Sequence, residues 1–231
     1  ALVANELRRA HRARPGRLAL GMLPAGRLRA EVITEHQRTV HGDNWPDDAL
    51  WITAVSLDTG DLIVFGRDGA PETDVASAVQ ASAAIPAYFE PVTINGRRYV
   101  DGGWRSATNA DLLLDHRLDL IVVLSPMSAR LTSALRSLGA LPRMFSRTHL
   151  RREVRALREA GSTVLVIEPD VELLRVMGPN PMDPARLLEI VMHTSATVMQ
   201  QLRSPHRRQA LDMLRESAGR KPSPPDVPMP D

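Results

Sequence analysis

The sequence predicts an α/β fold, with a layered, mostly parallel sheet flanked by helices and with β-hairpins added to it. Two short, largely apolar runs at residues 118–124 and 163–167 have the length and β-branched content of buried parallel strands. Helical spacing of apolar residues follows them at 184–202 and 205–216. Strands that alternate with helices in this way are typical of a sheet covered by helices.

The composition is that of an ordinary globular protein. Of the 231 residues, 43% are hydrophobic and 24% are charged, which allows one large domain with a sizeable core. The absence of cysteine excludes a disulfide framework and thiolate metal sites. A formal net charge of +2 is too small to indicate a nucleic-acid partner. We expect a cytoplasmic protein and leave peripheral contact with a membrane and the oligomeric state open.

The two ends of the chain differ from its centre. The chain begins with Ala1 rather than Met and enters a predicted helix at residues 3–12. We therefore expect the natural protein to continue upstream. The last segment, 219–231, has five prolines and no periodicity, which predicts a disordered tail. Residues 1–218 are therefore assigned to one domain. A further helix is predicted over 28–40.

The first half of the domain is predicted to contain a hairpin and a helix made of small residues. Residues 50–65 are β-rich on both sides of a turn at 58–61. Thr73 or Asp74 is predicted to cap a helix that runs to about Ala84. Small side chains along this helix allow it to lie close against a sheet.

A second hairpin is predicted around the dipeptide Asn95-Gly96, whose two turn positions need positive φ. Its second strand leads directly to Asp101-Gly102-Gly103. The hairpin therefore holds Asp101 where a strand gives way to a loop, and the two glycines allow the backbone to approach a neighbour or a ligand. Taken alone, an Asp-Gly pair is more simply an ordinary turn.

The order of motifs in this region is more specific than any one of them. The segment contains an Ala/Ser-rich helix that ends in proline, then Phe-x-Pro-Val, Asp-Gly-Gly and a later Asn, here 81–86, 89–92, 101–103 and Asn109. This order and spacing resemble the patatin-like phospholipase family over about 50–125. Residues 1–218 would then be the C-terminal part of a patatin-like hydrolase domain. Ala110 stands where the family commonly has proline.

The resemblance implies a lipid acyl ester hydrolase of the phospholipase or lysophospholipase type, which uses a serine–aspartate dyad and no cofactor. Asp101 would be the general base, and Gly102 and Gly103 would shape its loop. A carboxylate is a weak base for a hydroxyl, so the dyad needs a partly desolvated aspartate. The family's Gly-x-Ser-x-Gly and glycine-rich oxyanion loop do not occur in these residues, and Ser162 lacks the pattern. We expect both upstream of this chain.

Two functions therefore stay open. The first is hydrolysis of a lipid or another acyl ester, with Asp101 acting on an upstream serine. The second is a non-catalytic interaction or regulatory module that keeps the patatin fold without its chemistry. An upstream Gly-x-Ser-x-Gly in a strand–turn–helix context would favour the enzyme.

Other polar residues are weaker candidates. His36 and His41, with Asp43, invite a metal site, but a five-residue separation places the two imidazoles on different helix faces. We expect no metal. His193 and Ser195 share a predicted helix, where a packed or capped histidine is the simpler interpretation than a triad member.

The remaining charged residues are expected to be structural or solvated. Asn109 or Thr108 is predicted to cap a short helix over 110–117. Asp111, Asp115 and Asp119 are expected to cap helices or face solvent. The arginine clusters at 8–12 and 147–158 are predicted to be solvated helix faces. Helices are also predicted at about 130–140 and 146–160, divided at Pro142.

Overall fold

The computed structural model describes residues 26–28, 35, 38, 39, 45–128, 140–178 and 183–218, with only the backbone given for 140–144. The predicted helix at 3–12 and the predicted tail at 219–231 lie outside these residues, as does most of the helix predicted at 28–40. The chain divides into two compact units, Ala1–Ser106 and Ala107–Asp231.

The first unit contains the first predicted hairpin. Strand β1 is Ile52–Ser56 and strand β2 is Leu62–Phe65, and the two pair antiparallel with Val55 opposite Leu62. The turn between them is closed by a hydrogen bond from the Gly60 N–H to the Ser56 carbonyl at 2.7 Å. The predicted hairpin is therefore confirmed.

The second predicted hairpin is also present. Strand β3 is Val92–Ile94 and strand β4 is Arg97–Asp101. Between them Asn95 has φ 50° and Gly96 has φ 74°, so both turn positions are left-handed, as the dipeptide predicted. Asn95 also donates its side-chain amide to the Glu72 carbonyl at 2.9 Å.

The four strands of this unit form one antiparallel sheet in the order β2-β1-β4-β3. The expected mostly parallel sheet is therefore not found there. Each hairpin makes its own two strands antiparallel, and β1 then pairs antiparallel with β4 across the centre. A local pattern predicts each hairpin but not the pairing of one hairpin with the other.

A short helix, α1 (Val75–Ser82), covers one face of this sheet. Asp74 caps it, since the Asp74 carboxylate accepts a hydrogen bond from the Ser77 N–H at 2.8 Å. Two buried alanines of α1, Ala78 and Ala81, pack with Ala54, Phe65 and Tyr99 of the sheet. The prediction of a close-lying helix of small residues is confirmed, although the helix ends before Ala84.

The second unit contains a parallel strand pair. Strand β5 is Leu120–Leu124, strand β6 is Thr163–Ile167, and α2 (Ala140–Glu159) connects them. The prediction of parallel strands is confirmed. The prediction that β5 is buried on both faces is wrong, because Val122 is 43% exposed and Leu124 is 66% exposed. The alternate residues Ile121 and Val123 pack in the core.

Helix α2 begins earlier than the sequence predicted. It runs through Pro142, which lies in its first turn, where no intrahelical donor is needed. The predicted division at Pro142 is therefore wrong. The helix predicted at about 130–140 lies almost entirely outside the described residues.

Residues Ala110–His116 form a 3₁₀-helix, but the predicted caps are not used. Asn109 has φ 45° and its side chain makes no capping hydrogen bond. The Thr108 hydroxyl instead donates to Glu153 of α2 at 2.6 Å, and the same carboxylate oxygen accepts the Ala110 N–H at 3.1 Å. A distant glutamate therefore replaces the expected local cap.

Three further helices complete this unit. The helix α3 (Val171–Met177) was not predicted, although Asp170 caps it at Leu173 and Gly178 ends it. Both predicted C-terminal helices are found, each preceded by a short 3₁₀ turn. They are α4 (Leu187–Leu202) and α5 (Arg208–Ala218).

Candidate active site

Asp101 is the last residue of β4, where the sheet and the segment that follows α1 both bond to its backbone. It lies opposite Ala54 of β1. Its N–H donates to the Ala84 carbonyl, just beyond α1, at 3.0 Å. Residues directly opposite in an antiparallel pair point to the same face, so Asp101 shares the face on which Ala54 packs against α1.

The Asp101 carboxylate is half-buried and has one hydrogen bond among the described residues. The Gly103 N–H donates to Oδ1 at 2.7 Å, and no partner within that part of the chain bonds to Oδ2. Burial raises the pKa of Asp101, and the hydrogen bond from Gly103 opposes this effect without cancelling it. The carboxylate is consequently a stronger base than an aspartate at the surface.

The two glycines after Asp101 are required by close approach. A Cβ at Gly102 would lie 2.5 Å from both the backbone oxygen and the hydroxyl of Thr53 in β1. A Cβ at Gly103 would lie 3.0 Å from Asp101 Oδ1. Gly102 therefore allows the chain to lie close against Thr53 of β1, and Gly103 allows the backbone to lie close to the Asp101 carboxylate.

Thr53 and Ala84 belong to this site, and sequence analysis did not identify them. Thr53 limits the space at Gly102, and Ala84 accepts the N–H of Asp101. Both contacts join segments that are distant in sequence, so no local pattern could reveal them. The nearest sequence signal for Ala84 was Pro86, the proline predicted to end the small-residue helix.

The Phe89-Glu90-Pro91-Val92 segment is also held by a distant part of the chain. Leu28 forms a parallel bridge with Phe89, and its carbonyl accepts the Glu90 N–H at 2.9 Å. A Cβ on Gly26 would lie only 2.1 Å from the Phe89 carbonyl oxygen. Residues 26–28 therefore lie against the backbone of this motif.

His193 and Ser195 of α4 do not bond to each other as members of a catalytic triad would. His193 Nδ1 lies 3.0 Å from the Glu189 carbonyl of its own helix. The Ser195 hydroxyl donates to the Val191 carbonyl at 3.0 Å, also within the helix. Both side chains bond back to the helix, which confirms the structural interpretation. His36, His41 and Asp43 lie outside the described residues.

The other aspartates and arginines largely match expectation. Asp115 and Asp119 are exposed, whereas Asp111 is half-buried. Within the arginine cluster at 147–158, several members face solvent, but Arg147 is half-buried and pairs with Glu168 at 3.4 Å. The cluster is therefore not uniformly a solvated face. The arginines at 8–12 lie outside the described residues.

With this geometry in view, residues 9–114 match the family model of the Patatin-like phospholipase family. The predicted resemblance to the patatin-like phospholipase family is confirmed. The matched segment contains Asp101 and both glycines, and it begins well before residue 50, where the resemblance was expected to start. The family indicates lipid acyl hydrolysis as the class of activity and lipids as the class of substrate.

The search of curated proteins found no match to this chain. Among the described residues, no helix is long and apolar enough to cross a membrane. The same residues contain no cluster of three or more histidine or acidic side chains that could hold a metal ion.

Proposed function

We propose that this chain supplies the general base of a patatin-like phospholipase or lysophospholipase, with Asp101 acting on a serine upstream of residue 1. The observation that carries the proposal is the carboxylate of Asp101, half-buried at a strand end within the family segment and with Oδ2 free among the described residues. Such an oxygen can accept a proton without first losing a protein partner.

In the proposed reaction, the serine hydroxyl gives its proton to Asp101 Oδ2 as its oxygen attacks the acyl carbonyl carbon. The tetrahedral intermediate collapses when the ester oxygen takes that proton and leaves as the alcohol. Water then releases the fatty acid by the same two steps. The upstream glycine-rich loop that the family resemblance implies would stabilise the oxyanion.

The raised pKa of Asp101 favours this role. A general base is most effective when its pKa approaches the working pH, and an ordinary aspartate lies far below it. Burial moves the pKa of Asp101 in the required direction. The Gly103 N–H fixes Oδ1, which leaves the carboxylate in one orientation.

The test is Asp101→Asn in the full-length protein, measured as kcat/KM on a short-chain nitrophenyl ester. Loss of a general base typically costs about 10²–10⁴ in rate. Asparagine keeps the shape and can still accept the Gly103 N–H, so the thermal midpoint should not fall. The matched control is Asp58→Asn, a half-buried aspartate in the β1–β2 turn that pairs with Arg98, which should keep near-parental rates.

Three results would contradict the proposal. Near-parental rates for Asp101→Asn would remove Asp101 from the mechanism. A joint fall of rate and thermal midpoint would make Asp101 a structural residue. Absence of a Gly-x-Ser-x-Gly upstream would favour the non-catalytic module.

A second experiment uses the 231-residue chain alone. It should not be labelled by a fluorophosphonate probe, because the proposed nucleophile lies upstream. Stoichiometric labelling of any serine in this chain would require a different nucleophile and would overturn the proposed division of the dyad.

A further inference from the structure

Helix α2 presents an arginine-rich face to solvent, and the proposed ester hydrolysis gives this face no role. The opposite face of α2 packs in the core of the second unit through Leu150, Val154 and Leu157. The exposed arginines among residues 145–159 are Arg151, Arg152, Arg155 and Arg158. One side of the helix is therefore fixed to the strands β5 and β6, and the other side carries positive charge on the surface.

Three of these four arginines have no internal counter-charge. Arg158 donates to the Val164 carbonyl at 3.0 Å. The guanidinium groups of Arg151, Arg152 and Arg155 have neither a hydrogen bond nor an ion pair with any residue that the structure describes. These three residues lie within about one turn of helix, so their charges are concentrated on a small area.

Three other exposed arginines of the second unit are compensated within their own segments. Each pairs with an acidic residue three positions away, as Arg175 with Glu172 at 3.2 Å, Arg186 with Asp183 at 3.5 Å and Arg215 with Asp212 at 3.4 Å. The three unpaired arginines of α2 differ from these, because their charges are left to a partner outside the described chain.

An aromatic side chain lies on the same face of α2. Phe145 is 69% exposed. Arg152 follows it by about two helical turns, so the two side chains lie on the same side of the helix. His149, between them, is also exposed, and Glu159 is the only acidic residue among the exposed positions of 145–159. The face therefore combines positive charge with an exposed apolar ring.

The surface of an anionic lipid bilayer matches both parts of this face. Headgroup phosphates are acceptors with negative charge, which guanidinium groups bind well. The boundary between headgroups and acyl chains accepts aromatic rings, so Phe145 can be buried there while the arginines stay among the headgroups. A nucleic acid would satisfy only the arginines, and the formal net charge of +2 does not favour one.

We propose that the solvent face of α2 binds an anionic lipid bilayer, with Arg151, Arg152 and Arg155 at the headgroup phosphates and Phe145 entering the interface. The family match, which indicates lipids as the class of substrate, agrees with such a partner. The proposal does not depend on Asp101 or on the position of the nucleophile, so it is tested without measuring hydrolysis.

The first test is co-sedimentation of the 231-residue chain with vesicles that contain phosphatidylglycerol, with pure phosphatidylcholine vesicles as the reference. The chain should bind the anionic vesicles at least about tenfold more tightly. Raising the salt concentration from about 0.1 M to about 1 M should weaken this binding, because salt screens exposed charges. Equal binding to both kinds of vesicle overturns the proposal.

A triple variant, Arg151→Gln, Arg152→Gln and Arg155→Gln, tests the three arginines. Each basic side chain near an anionic surface strengthens binding by about fivefold, so their joint loss should weaken it by about 100-fold. The thermal midpoint should not change, because the three side chains are exposed and hold no partner among the described residues.

The matched control removes the same charge from other exposed positions. It is the triple variant Arg175→Gln, Arg186→Gln and Arg215→Gln, which breaks three surface ion pairs. This variant should keep most of the affinity for phosphatidylglycerol vesicles. Equal losses in the two triple variants would show that only the net charge matters, and would overturn the proposal.

Two variants of Phe145 test whether α2 enters the interface. Phe145→Ala should weaken vesicle binding by about tenfold, the effect of leaving most of a phenylalanine ring in water. Phe145→Trp should add fluorescence that shifts to shorter wavelength with phosphatidylglycerol vesicles, relative to the three native tryptophans of the parent chain. Unchanged affinity in Phe145→Ala, or no added shift in Phe145→Trp, overturns the proposal.

An acidic protein is the competing partner for this face, and poly-glutamate represents it. Poly-glutamate should bind the chain more weakly than phosphatidylglycerol vesicles do, because it offers charge without an apolar interface. Its binding should also be insensitive to Phe145→Ala. Binding of poly-glutamate as tight as that of the vesicles would identify an acidic protein as the partner and would overturn the proposed bilayer contact.

Discussion

Two carboxylates of the first unit, at the start of α1 and at the end of β4, differ in what surrounds them. Asp74 accepts hydrogen bonds from the Ser77 N–H at 2.8 Å and from the Ser77 hydroxyl at 2.6 Å. Asp101 accepts one, from Gly103. Burial raises the pKa of both carboxylates. At Asp74 the bonds from Ser77, the Asp74 backbone N–H and the charge of Arg38 together outweigh burial, so the net pKa is lowered, whereas the pKa of Asp101 stays raised.

The comparison shows that the supply of hydrogen-bond donors separates a carboxylate with a lowered pKa from one with a raised pKa. Asp74 is stabilised in its charged form and holds a helix end. Asp101 is held in place by its backbone, while its charged form is left under-stabilised. A site that needs a base gains from this arrangement, at a cost in folding stability.

The largest effect should come from a carboxylate with two donors and greater burial. Glu153 is 7% exposed and accepts both the Thr108 hydroxyl and the Ala110 N–H. Glu153→Ala should lower the free energy of unfolding by about 2–4 kcal/mol, because it removes the acceptor of the buried Ala110 N–H and of the Thr108 hydroxyl. Urea denaturation measures this loss.

Two other variants calibrate the effect of Glu153→Ala. Glu153→Gln keeps one amide oxygen as an acceptor and should cost less. Glu159→Ala, at the exposed end of the same helix, should change stability by at most about 0.5 kcal/mol. Equal losses at positions 153 and 159 would show that the two hydrogen bonds contribute nothing specific.

The next effect tests whether burial sets the basicity of Asp101. Gly102→Ala places a Cβ against the Thr53 backbone, so β4 must move away from β1 at a cost of about 1–3 kcal/mol. Asp101 should become more exposed and its pKa should fall towards the usual value. Carboxyl NMR titration measures that pKa directly.

Gly103→Ala is the matched comparison for Gly102→Ala. Its new Cβ would meet the Asp101 carboxylate, a side chain that can move, rather than the backbone of Thr53. The loss of stability should therefore be smaller. A pKa of Asp101 that stays raised in Gly102→Ala would show that burial against β1 is not its cause.

A smaller effect is expected at the helix cap. Asp74→Ala should cost about 1 kcal/mol, the usual value of a lost N-cap, as read from the urea midpoint. Because the pKa of Asp74 is lowered, its stabilisation is present above the unfolded pKa of 3.8 and is lost as pH falls through the folded value. Asp68→Ala, an exposed control, should change little.

The smallest expected effect is the pH dependence of stability caused by Asp101, which has the opposite sign to that of Asp74. The raised pKa of Asp101 means that the folded state keeps a proton that the unfolded state releases above 3.8. The parent chain should therefore lose stability relative to Asp101→Asn as pH rises through this window. Urea unfolding from about pH 3 to about pH 8 measures the difference. An advantage for the parent that grew with pH would reverse the comparison.

Local signals predicted much of the first unit and the position of Asp101 within it. Both hairpins follow from turn chemistry, and α1 follows from a capping aspartate ahead of small residues. Asp101 was identified because ordered motifs surround it, not because of its own turn signal. The helix Val171–Met177 carried a cap, an apolar pattern and a terminal glycine, so it was predictable but overlooked.

By itself, the sequence determined the local elements, the family resemblance and the position of Asp101 at the end of a strand. Only the tertiary structure decided that β1 pairs with β4, that Thr53 requires glycine at 102, and that Glu153 replaces a local cap. The physical reason is the range of the interactions. Turn and cap energies depend on residues a few positions apart, whereas desolvation and buried hydrogen bonds depend on which distant segments meet.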